Sequence, residues 1–116
     1  MKLFQKELSG IDSRAKVFAT DMEPSLSSAC QLADGSFQVP RVTSDEYLEC
    51  LLGICQDNAV RMIVPTIDTE LLFLAENRTH FEAIGVEPIV SDPTLIRICR
   101  DKRKTHDFFL AKGIKA

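Results

Sequence analysis

Three short polar clusters in this 116-residue chain stand where chemistry would need them. In RMIVPTIDTELLFLAENR (61–78) the apolar Met62-Ile63-Val64 stops at Pro65, and Thr66, Asp68, Thr69 and Glu70 follow. In AKVFATDMEPSLSSA (15–29) an apolar run ends at Asp21, with Glu23 and Ser25 close behind. In RICRDKRK (97–104) the pair Asp101-Lys102 opens a helical pattern. Neighbouring carboxylates do general acid/base work, and an acid just after a strand holds a ribose hydroxyl. A lysine at a helix start with free backbone amides suits a phosphate.

Each cluster also has a plainer reading. Asp68 as N-cap and Glu70 in the first turn stabilise a helix with no ligand present. Asp21, Glu23 and Ser25 do the same for the segment after them. A charged helix start is common on solvated surfaces, and Arg97, Arg100, Arg103 and Lys104 read as such a face. No second acid pair accompanies Asp68 and Glu70, so acid/base catalysis is unsupported. The Thr66–Glu70 loop keeps the capacity to hydrogen-bond a polar substrate.

Cys30, Cys50, Cys55 and Cys99 match neither zinc nor CxxC spacing. They sit among apolar residues, as small buried hydrophobes do in a reducing compartment. Nothing ties His80 or His106 to any of them as a catalytic pair.

The elements that must hold these clusters alternate. Residues 2–9 read as the last turns of an amphipathic helix closed by Gly10. Strands are expected at 15–20, 37–39, 60–64 and 86–90. Between the first two, Pro24 opens a helical segment over 25–32. Thr43 and Glu46 form a capping-box pattern before a stripe of Tyr47, Leu48, Leu51, Leu52 and Cys55, and Asn58 ends that helix. A helix over 68–83, stopped by Gly85, buries Leu71, Leu72, Ala75 and Phe81. Asp92-Pro93 begins a short helix, and a last one spans 101–112, capped by Gly113.

Short apolar strands separated by helical crossovers imply an α/β fold, a Rossmann-like three-layer parallel sheet. Ligands in such sheets bind beyond the carboxyl ends of the strands, where the Asp21 and Thr66–Glu70 loops fall. The chain opens on a crossover helix, so the central first strand of the sheet is expected to be absent. Residues 1–116 are therefore expected to be one domain and a fragment of a longer protein. A gap in the sheet would favour homodimerisation.

A hydrophobic share of 45% supports a packed core. A net charge of -3 gives no support to nucleic acid or anionic membrane as a partner. No run nears a membrane span and no signal sequence opens the chain, which points to the cytoplasm.

In order, VFATDMEPSLSSACQLADGSFQVPRV, IVPTIDTELLFLA, GVEPIVSDP and CRDKRKTHDFFLAKGI resemble the N-terminal, pre-ATP-grasp domain of ATP-grasp proteins, with the carbamoyl-phosphate-synthase-like ones nearest in look. The likeness runs from about residue 3 to 116 and rests on the order and spacing of short motifs. It implies an enzyme that joins a carboxylate to a nucleophile through an acyl-phosphate, using ATP and Mg2+. It implies that the basic residue of a D-K pair, here Lys102, contacts the nucleotide, and that Asp21, Ser25, Thr66, Asp68 and Glu70 line the side of a small-molecule substrate. It also implies a partner, an ATP-grasp catalytic domain in the same or a separate chain. The family's glycine-containing loop, adenine pocket and magnesium ligands do not occur in these residues, so the isolated chain is expected to be inactive and to hold no cofactor.

Two other functions fit the elements. One is a non-catalytic binding or assembly module, such as a split subunit. The other is a dinucleotide-binding Rossmann fragment, for which the glycine-rich turn would have to lie upstream.

Overall fold

The computed structural model describes residues 1–115. The chain divides into two compact units, Met1–Ile54 and Cys55–Ala116.

In the first unit Asp34 decides where the sheet begins. Its carboxylate accepts the Val17 N–H at 2.7 Å, and its own N–H donates to the Val17 carbonyl at 2.8 Å. Strand β1 (Phe18–Asp21) then runs parallel to β2 (Gly35–Gln38), with Phe18 opposite Gly35 and Asp21 opposite Gln38. The Phe18 and Phe37 rings lie 5.7 Å apart. A Cβ at residue 35 would come within 2.9 Å of the Phe18 ring, so glycine is required at that register position. The first strand thus starts three residues later than the apolar run, because Ala15 is held in a turn on the Asp12 carbonyl.

The crossover between β1 and β2 is a 3-10 turn at Pro24–Leu26 followed by α2 (Ser28–Leu32), not one helix. The break falls at Ser27, whose hydroxyl caps α2 by accepting from the Cys30 N–H. Helix α1 (Lys2–Ile11) passes through Gly10 and ends at Asp12, correcting the expected stop. Its residues are all at least partly exposed, and Gln5 Nε2 donates to the Leu32 carbonyl at 3.0 Å. Cys30, Val39, Tyr47 and Leu51 are the buried apolar residues of this unit.

Helix α3 (Tyr47–Asp57) carries the expected stripe, with Tyr47, Leu51 and Cys55 buried. Before it, the hydroxyl that meets a backbone N–H is Ser44, from Glu46 at 3.3 Å, rather than Thr43.

In the second unit β3 (Met62–Ile63) and β4 (Glu87–Pro88) run parallel. Glu87 N–H bonds the Arg61 carbonyl and Ile89 N–H the Ile63 carbonyl, both at 2.9 Å. Both strands are shorter than their apolar runs. Val60 N–H is spent on the Cys55 carbonyl, and Val90 N–H turns back to Pro88. The expected helix over 68–83 is two helices, α4 (Asp68–Glu76) and α5 (Arg78–Glu82). The break is at Asn77, whose backbone (φ -106°, ψ 14°) leaves the helical well while its side-chain amide donates to the Phe73 carbonyl at 2.8 Å. The buried residues here are Leu74, Ala75 and Phe81, while Leu71 and Leu72 stay half-buried. Helices α6 (Pro93–Arg100) and α7 (Lys102–Ala111) complete the unit.

The α/β class and the parallel sense of the strands are as expected. Each unit contributes a two-stranded ladder rather than a three-layer sheet.

Candidate functional site

The two loops after β1 and β3 and the corner between α6 and α7 hold the polar residues singled out above. In the first unit Asp21 is the last residue of β1. Its carboxylate accepts the Glu23 N–H at 2.8 Å, and its carbonyl accepts the Val39 N–H. Ser25 is exposed and its hydroxyl donates to Glu23 Oε1 at 2.8 Å. Asp21, Glu23 and Ser25 therefore form one hydrogen-bonded turn at the carboxyl end of a parallel strand. The half-buried Asp21 keeps acceptor capacity beyond its single backbone bond.

In the second unit Thr66 is exposed in the loop between β3 and α4. The residue at the N-cap position of α4 is Ile67, with no side-chain cap, and Asp68 is the first helical residue. This corrects the N-cap reading of Asp68. Asp68 and Glu70 both lie in the first turn, where the helix dipole favours negative charge. Asp68 has a specific partner too, since its Oδ2 lies 3.4 Å from Arg100 Nε on α6.

Lys102 is the first residue of α7 and is exposed. The amides beside it are not free. Asp101 caps α7, and its Oδ1 accepts from Arg103 N at 2.9 Å and from Lys104 N at 3.4 Å. A carboxylate already occupies the place an anion would take at this helix start. What remains for a phosphate is the Lys102 ammonium itself.

The structure brings together two of the predicted segments, the Asp68 end of the β3–α4 loop and the Arg100–Lys102 corner. Arg97 adds a second tie, from its Nη2 to Glu76 Oε1. Arg97 and Arg100 are exposed, in keeping with the solvated face expected from the sequence, and they are also ion-paired, which was not expected. The signal was present, in two arginines three apart on one helix and two acids eight apart on another. Matching them needs the packing of α6 on α4, which no local pattern encodes.

An open hollow at the end of β4 is lined by Glu87, Pro88, Ile89, Val90 and Ser91, none of them a predicted site residue. Nearby, Arg78 joins α5 to β4 by donating to Glu87 Oε1 at 3.0 Å and to the Val90 carbonyl.

Among the described residues no three His, Cys, Asp or Glu side chains converge as metal ligands. No helix among them is long and apolar enough to cross a membrane. The four cysteines are free thiols, with Cys30 and Cys55 buried and Cys99 exposed. Burial pushes the Cys55 thiol up to about 11, which keeps it protonated and unreactive at neutral pH.

No curated protein matches the chain. The family model described as the PylC-like, N-terminal domain matches residues 1–89, a span that takes in both loops after β1 and β3. On that match the chain belongs to the PylC-like N-terminal domain family, the pre-ATP-grasp domain of ATP-grasp proteins.

Proposed function

We propose that the chain is the substrate- and nucleotide-side domain of an ATP-dependent carboxylate–amine ligase of carbamoyl-phosphate-synthase-like type, and that it acts only together with an ATP-grasp catalytic domain. The observation that carries this reading is the family match over residues 1–89. Residues 1–116 are read as one pre-ATP-grasp domain, working in the cytoplasm, with a Rossmann-like sheet as its framework.

In this reading the catalytic domain, in the same or a separate chain, supplies the magnesium ligands and the adenine pocket. When bound, Mg·ATP supplies the phosphoryl group that activates a carboxylate. This chain contributes charge and walls. Lys102, exposed at the start of α7, offers one ammonium to the nucleotide phosphates as a point charge. Because Asp101 holds the adjacent amides, the contact depends on the Lys102 side chain and not on the helix terminus. Asp21 and Ser25 at the end of β1, and separately Thr66, Asp68 and Glu70 after β3, are read as substrate-side polar residues, each within its own unit.

The test is complementation. Joined to or mixed with an ATP-grasp catalytic domain, the chain should support ATP-dependent ligation that neither part supports alone. Lys102→Ala should then raise the KM for ATP roughly tenfold or more, the worth of a charge-assisted hydrogen bond. Ligation at the same rate without this chain would overturn the reading.

A further inference from the structure

The pairing of Arg97 and Arg100 with Glu76 and Asp68 is ordered. The later arginine of α6 meets the earlier acid of α4, and the earlier arginine meets the later acid. The two helices thus run in opposite directions along this seam, and the arginines, three residues apart, share one face of α6. The seam ends at a stiff corner. Thr105 Oγ1 donates to the Ile98 carbonyl at 2.8 Å, across the α6–α7 junction, and lies 3.0 Å from the Asp101 carbonyl. Asp101 accepts from the first turn of α7, and the Thr105 N–H returns to the Asp101 carbonyl at 2.9 Å. Arg100 is two residues before Lys102 in this corner. Arg100 and Lys102 thus flank Asp101, the residue that caps α7.

We propose that Arg100 is a positioning residue: its ion pair with Asp68 fastens the first turn of α4, and with it the Thr66–Ile67 end of the loop, to the corner from which Lys102 projects, so that the state of the loop and the position of Lys102 are coupled. Arg97 steadies the other end of the seam. A cationic group that takes Asp68 from Arg100 loosens the Lys102 corner, and an anion that holds Lys102 in place favours the closed pair. The influence runs equally in both directions, as any coupling between two bound states must. The roles of Lys102 and the loop rest on the ligase reading above, while the coupling itself is a property of this chain alone.

The pair is partly exposed, 37% for Arg100 and 69% for Asp68, so its effect is modest and sensitive to salt. The experiment is amide hydrogen exchange on the whole chain, with no nucleotide. Asp68→Asn and Arg100→Gln should each speed exchange at Asp101 and Thr105 by up to about fivefold. The double variant should be no faster than either single one, the mark of a shared interaction. The swap Asp68→Arg with Arg100→Asp should restore protection, which guards against a variant that simply folds badly. In about 1 M salt the wild type should approach the single variants.

A second readout reports position rather than stability. With lysines carrying 13C-methyl groups, the Lys102 signal, assigned by Lys102→Arg, should shift in Asp68→Asn and return in the swapped variant. Unchanged exchange and an unmoved Lys102 signal in both single variants, or additive effects in the double one, would overturn the proposal. None of these readouts depends on ATP, so a failed ligase reading and a failed coupling are separable.

Discussion

Asp68 and Asp101 show how a carboxylate near a proposed ligand loop is assigned. Asp101 spends one oxygen, Oδ1, on two backbone amides, and Asp68 faces a guanidinium. Cys55 is a different case, a buried thiol with no chemistry to do. Its folded-state value is raised from 9.0 to about 11 by burial. The unfolded chain therefore loses this proton first as pH rises, and stability that is complete below pH 9 falls between about 9 and 11. The loss is on the order of 2 kcal/mol. Urea unfolding at both ends of that window should show a steeper loss for the wild type than for Cys55→Ala, and equal slopes would refute the assignment. Much of this scale was legible in advance. The burial of Cys30 and Cys55 and the first-turn acids follow from local context, whereas Cys99, expected among the buried cysteines, is exposed. The partner of Asp68 was not legible, because Arg100 is far along the chain and only packing makes them neighbours.

Three helix ends of the second unit, those of α3, α5 and α7, repeat one design. Val60, Val86 and Ile114 each send an N–H five residues back, to Cys55, Phe81 and Phe109. The residue before each has a positive φ: Ala59 at 52°, Gly85 at 78° and Gly113 at 70°. This is the Schellman arrangement, in which glycine avoids the Cβ clash of the left-handed region. Alanine at position 59 bears that clash. Ala59→Gly should therefore stabilise the protein by about 1 kcal/mol, after allowing for the added freedom of the unfolded chain. Thermal unfolding checks it, and a lowered midpoint would contradict it. Glycine-marked stops at 85 and 113 were readable from the sequence. The end of α3 at Asp57 was readable from Asn58, but the positive φ at Ala59 was not, because alanine carries no turn signal. Gly10 misled in the other direction, since α1 runs through it to Ile11. The Asn77 break also escaped periodicity, because the apolar spacing continues across it.

For the molecule as a whole, the order of elements and their parallel pairing carried the fold class, and the family match over residues 1–89 agrees with the resemblance seen in the motifs. The extent of the sheet was overestimated from apolar runs. Backbone N–H groups at Val60 and Val90 are used in turns, and such use does not show in hydropathy. The proposed function has this domain lend Lys102 to a nucleotide site completed elsewhere. The direct measurement is a calorimetric titration with Mg·ATP, made on the chain alone and on the chain joined to an ATP-grasp catalytic domain. The chain alone should show no micromolar binding, and the joined protein should bind with an affinity that Lys102→Ala weakens roughly tenfold. Micromolar affinity of the isolated chain, or a joined protein indifferent to Lys102→Ala, would contradict it.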